Sequence, residues 1–131
     1  MDFRKAFVTN SKREIEGVVL PLAEGVTLRV ARFNNPRMEE HMQRIGKPYA
    51  RSIKMGTFPP QEMRKLMAKA MSHHVLLDWT GLEEDGKPLA YSPEAAERLL
   101  LESRDFFDLV FEAANEQQNF RDEGVEAASG N

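Results

Sequence analysis

No cysteine occurs among the 131 residues, which excludes disulfides, thiolate metal sites and thiol nucleophiles; a reducing compartment suits the chain without being required. Long apolar runs are missing too. Stretches such as Val75 to Leu77 fall far short of the ~20 residues that cross a bilayer, so no membrane partner is expected. Met1 to Asn10 carries charges with no apolar run behind them, and no secretory leader is expected. The expectation is an intracellular, soluble protein. The 8 glycines are scattered singly, and there is no G-x-S-x-G elbow, Gly-rich phosphate loop or H-E-x-x-H. Pairs of acids in the C-terminal half reflect its composition and mark no cleft. Catalytic residues, a resident metal and a cofactor are therefore not expected, and neither is enzyme activity.

What is present is one domain's worth of chain with an uneven charge. A length of 131 supports a single continuous core. Residues 1–74 carry 14 Lys and Arg against 7 Asp and Glu, while residues 75–131 carry 4 against 14, so the halves stand at +7 and −10. Two readings stay open: a nucleic-acid footprint with an acidic tail, or two faces that screen each other or stack copies head to tail.

Along the chain, residues 1–13 lack pattern and read as a flexible arm, 14–121 as a single globular domain, and 122–131, with no large side chains, as a disordered tail. EGVVLPL, the break AEG and the alternating VTLRVARF predict a β-hairpin over about 14–33, with Gly25 in the turn and Pro21 on an edge or short strand. Asn35 and Pro36 start a helix over about 36–45; KPYARSIKMGTFPP follows as a basic loop, and a second helix covers about 60–73. Asp85 and Gly86 offer a tight turn. Ser92 as N-cap and Pro93 as first helical residue open a helix over 93–102, and Ser103 caps a last one over 104–118. The fold class is α+β, mainly helical, with an N-terminal hairpin and four helices.

Candidate sites have bland competitors. Glu83, Glu84 and Asp85 are consecutive, so they do not converge on one cation as alternating ligands do, and a solvated turn is the default. His73 and His74 point ~100° apart on a helix; a helix C-terminus suits a partly protonated imidazole. Basic and aromatic residues interleave in RVARF and KPYARSIK, the ingredients of phosphate contact and base stacking, but without a recognition signature. Met38, Met42, Met63, Met67 and Met71 fall on the first two helices, and thioether side chains adapt to partners of varied shape. Core packing is the default for most of them, and only part of the set is expected at the surface.

VLLDWTGLEEDGKPLAYSPEAAERLL followed by FFDLVFEAANEQQNFR resembles the tail assembly chaperones of long-tailed (siphovirus) phages and prophages, over roughly residues 75–121. The resembling elements are an apolar run meeting W-x-G-[VIL], an acidic D-G turn, L-x-[YF]-[ST] before a helix, and a second apolar helix ending near ANExxNF. The resemblance implies a non-enzymatic factor that binds the tape measure protein and helps recruit tail tube subunits during tail assembly. It implies work in the host cytoplasm, absence from the mature virion, and a longer form made by frameshifting. Partner-binding candidates are Met38, Met42, Met63, Met67, Met71, Phe107 and Phe111, while Trp79, Gly86, Ser92 and Pro93 are structural. Trp79 is expected to pack on the last helix, with Leu77 and Phe107 or Phe111 as neighbours. A weak, salt-sensitive homo-oligomer is a further expectation. The alternatives are a small nucleic-acid binder using the basic half and a structural tail completion protein.

Overall fold

The computed structural model describes residues 1–122. Within it the predicted hairpin forms, and a third strand joins it. β1 (Val18–Ala23) and β2 (Val26–Val30) pair antiparallel around Gly25, whose φ of +76° suits a residue without Cβ. β3 (Leu76–Thr80) pairs antiparallel with β2, so the order is β1-β2-β3 and the Pro21 strand lies at the edge, where proline is best tolerated.

No strand was expected at β3 because Leu76, Leu77, Asp78 and Trp79 do not alternate. The register between β2 and β3 slips between Arg29 and Val30: Val30 faces Leu76 while Arg29 faces Asp78. Leu77 is the extra residue. It turns away while Leu76 and Trp79 are both buried, which is how a bulge hides a strand from period-two reading.

Two short helices, α1 (Phe3–Phe7) and α2 (Ser11–Glu16), occupy the segment read as an arm and its continuation, capped by the side chains of Asp2 and Asn10. The Ala6 carbonyl accepts from Gln117 Nε2 at 3.0 Å and Arg121 Nη2 at 2.7 Å, and Asn10 N–H donates to the Phe120 carbonyl at 2.7 Å. Helices of five and six residues show too little of a period to be read from sequence.

The four predicted helices are α3 (Pro36–Gly46), α5 (Pro60–His74), α6 (Pro93–Glu102) and α7 (Arg104–Asn115). Between α3 and α5 the expected basic loop is instead a 3-10 turn (Lys47–Tyr49) and a short α4 (Ala50–Lys54). α7 ends before the expected 118 because Glu116 leaves the helical region (ψ 108°) and its side chain caps a 3-10 turn, Gln117–Phe120. That turn delivers Phe120, fully buried, to the protein interior. Asn35 caps α3 by accepting from Arg37 and Met38 N–H, and its Nδ2 donates to the carbonyls of Arg32 and His74, tying the start of α3 to the end of α5. One sheet face and the four long helices enclose the core, with Leu28, Val30, Met71, Leu76, Leu100 and Val110 near its centre. The architecture is α+β and mainly helical. The expected disordered tail lies, from residue 123 on, outside the described residues.

Candidate functional site: an acid-rimmed apolar cleft

Glu83–Glu84 (β4) and Lys87–Pro88 (β5) form a two-stranded hairpin about Asp85 (φ +53°) and Gly86 (φ +79°). The hairpin leans toward α6 and α7. Between them opens a cleft of about 440 Å³ with Leu82, Leu89, Leu99 and Phe106 as its apolar surface and Glu83, Glu84 and Glu102 among its lining. Its walls are fixed by polar bonds. Leu89 N–H donates to the Leu82 carbonyl at 2.9 Å, and Arg98 grips Glu84 with two bonds of 2.8 Å and reaches Glu102 at 3.3 Å. The hydrogen bonds from Arg98, with its charge, hold the Glu84 carboxyl below the usual range. Ser92 and Ser103 accept from Ala95 and Phe106 N–H, so both helices enter the cleft capped, and Pro93 sits in the first turn of α6.

Trp79 supports this hairpin, but through different neighbours from those expected. It is buried, stacks on Tyr91 with centroids 5.0 Å apart, and donates its indole N–H to the Leu89 carbonyl at 2.7 Å. Leu77, half-buried, lines a different cavity with Ile15, Arg29 and His73. Phe107 instead packs under the Arg64 guanidinium (5.2 Å), and Phe111 meets Phe33 edge to face at 4.8 Å.

The methionines divide. Met38 and Met71 are fully enclosed and Phe107 is buried, so these three belong to the core. Met42, Met63, Met67 and Phe111 are half-buried. The most exposed methionine inside the fold is Met55, which lies beyond a helix end and so outside any helical spacing. The cleft residues Leu82 and Leu89 were missed as well; their signal was a leucine on each side of EEDGKP, which a closed turn brings together.

A second cluster sits where α3 meets α5. His41, His73 and His74 approach with ring centroids 5.0 to 6.1 Å apart. Burial first, then the charges of Arg44, His73 and Lys69, hold His41 below the usual imidazole value; burial, His41, His73, Arg37 and Arg44 do the same to His74. The expected protonated, dipole-stabilised imidazole is therefore not what the environment of His74 favours. Among the described residues no group of three or more His, Cys, Asp or Glu is placed to hold a metal ion, and no helix is long and apolar enough to cross a membrane.

Fold and cleft together define a small α+β domain with an apolar concavity in its acidic half. A family model described as YdaY prophage protein matches residues 33–131, and the chain belongs to that family of prophage proteins. No curated protein and no solved structure matches it.

Proposed function

We propose that this prophage protein is a non-enzymatic tail assembly chaperone that holds an apolar stripe of the tape measure protein in the cleft between the β4–β5 hairpin and α6–α7. The carrying observation is the cleft itself: leucine and phenylalanine surface rimmed by carboxylates, built entirely from the segment 82–106 that lies inside the resemblance to the chaperone family. Its chemistry suits an amphipathic helix whose apolar positions are flanked by Lys or Arg. A long helical client exposes such stripes until a tube surrounds it, and covering them lowers the free energy of the waiting state.

Burying ~500 Å² of apolar surface contributes about 12 kcal/mol before ordering and association costs are subtracted, which leaves a reversible complex. Release is what assembly requires, so the protein works in the host cytoplasm, hands the client to tube subunits and stays out of the finished particle. Family membership in a prophage group is consistent with that setting.

Co-expression with the phage's own tape measure protein tests the reading. Soluble yield of the client should rise, and Leu99→Lys or Glu83→Lys in the cleft should remove the gain while leaving the chaperone folded by circular dichroism. Unchanged client solubility with the unaltered protein overturns it. Mass spectrometry of purified particles separates it from a structural tail component, which is retained there.

A further inference from the structure

The basic half holds a cavity that the client cleft does not use. About 310 Å³ in volume, it is lined by Arg29, Arg37, His73 and His74 together with Glu16, Asp78 and two apolar side chains. Arg37 opens α3, the histidines close α5, Arg29 projects from β2, and His41 stands behind with its ring 5.6 Å from His73 and 5.0 Å from His74. In the lining itself two arginines meet two carboxylates, and the positive excess comes from Arg44 and Lys69 behind the histidines. Among the described residues Arg29, Arg37, Arg44 and Lys69 form no ion pair, although Arg29 Nε donates to the Glu16 carbonyl at 2.8 Å. Of the two carboxylates, Glu16 lies 3.9 Å from Lys12, and Asp78 Oδ1 accepts the Trp79 N–H at 2.9 Å. His41 Nδ1 is buried with no hydrogen-bond partner, an uncommon state for a polar atom.

We infer that this cavity binds a tetrahedral oxyanion, a phosphate group, between Arg29, Arg37 and the histidines. Guanidinium forks match phosphate oxygens two at a time, and imidazolium adds donors. A cation is the wrong occupant, because the nearby Arg, Lys and His side chains repel it.

Two sources can present such a group, and the adjoining chain argues for including a nucleic-acid strand. From His41 to Gln61 there is no carboxylate, while Arg44, Lys47, Arg51 and Lys54 follow one another. In the same stretch Tyr49, half exposed, lies against Phe58 with ring centroids 5.0 Å apart, a surface on which a base can stack.

Protonation is linked to occupancy. The groups facing the imidazoles are Arg37 and Arg44 from α3, Lys69 from α5, Arg29 and Asp78 from the sheet and Glu16 from α2, and the balance is positive. An anion offsets that repulsion, so binding tightens as pH falls below 6.5, and the bound anion in turn raises the pKa values of His41 and His74.

The test is an NMR titration of the three imidazoles with sulfate, a dianion whose charge is constant across the range, with inorganic phosphate, and with a single-stranded oligonucleotide of about 10 nucleotides. Saturable shifts are expected, about tenfold tighter near pH 5.5 than near pH 7.5, and weakened about tenfold in Arg29→Gln and Arg37→Gln. An oligonucleotide that binds more tightly than phosphate, with a steep salt dependence, assigns the site to a strand; equal or weaker binding assigns it to a small phosphate. Imidazole resonances unmoved by all three probes, or shifts that persist in both arginine variants, overturn the inference. The client cleft plays no part in any of these readouts, so this result and the chaperone reading stand or fall separately.

Discussion

The indole of Trp79 stacks on the ring of Tyr91 at 5.0 Å and 21°, and the Tyr91 hydroxyl in turn donates toward the carbonyls of Leu76 (2.6 Å) and Ser72 (3.1 Å). The pair therefore joins the sheet, the end of α5 and the strand of chain entering α6. Trp79→Ala should cost about 3 to 5 kcal/mol by urea unfolding, and Tyr91→Phe about 1 to 2 kcal/mol through the lost donor. Burial, and then the charges of Asp78 and Glu94, push the Tyr91 hydroxyl up to about 12. A group whose folded value is raised contributes stability below its unfolded value and loses it as pH rises through the folded one. The protein should thus weaken between about pH 10 and 12, a loss that Tyr91→Phe should shrink when unfolding midpoints are compared.

Gly81 and Gly25 offer a contrast in backbone cost. Both have φ near +75°, but a Cβ on Gly81 runs into the carbonyl oxygen of Gly25, whereas a Cβ on Gly25 meets nothing within 4 Å. Gly81→Ala should cost more than about 2 kcal/mol, because the hairpin turn must move aside, and Gly25→Ala only about 1 kcal/mol. Equal thermal shifts for the two would contradict the close approach.

His41 and His74 both titrate below 6.5, with burial the leading cause. For a lowered imidazole the unfolded chain binds the proton more readily, so stability is full above 6.5 and declines as pH falls toward the folded values. Urea midpoints should be flat above neutrality and drop below 6.5, with His74→Gln, at the half-buried position, flattening the decline. A midpoint that rises on acidification contradicts the cluster's electrostatics.

Met71 and Met55 separate core from surface among the methionines. Met71 is fully enclosed and Met55 is 66 % exposed. Met71→Ala should cost about 2 to 5 kcal/mol and Met55→Ala less than about 0.5 kcal/mol, measured by chemical denaturation.

These relationships divide by the distance over which they act. Asn35 before Pro36, Ser92 before Pro93, Ser103 before an apolar stripe, and Asp85-Gly86 all worked as expected, because capping and turn formation depend on groups within four residues of each other. The charge halves and the missing cysteine were equally legible. β3, the Trp79–Tyr91 stack and the burial of Met38 and Met71 were not: a bulge broke the alternation at Leu77, and helical spacing says that a side chain shares a face without saying what covers it. The cleft belongs to the same class, since Leu82 and Leu89 meet Leu99 and Phe106 only after the hairpin closes on two helices. The sequence by itself determined where the four long helices begin, where the chain turns and how its charge divides. Only the tertiary structure decided which apolar side chains are spent on the core and which stay at the surface, because that choice depends on contacts between segments far apart in the chain.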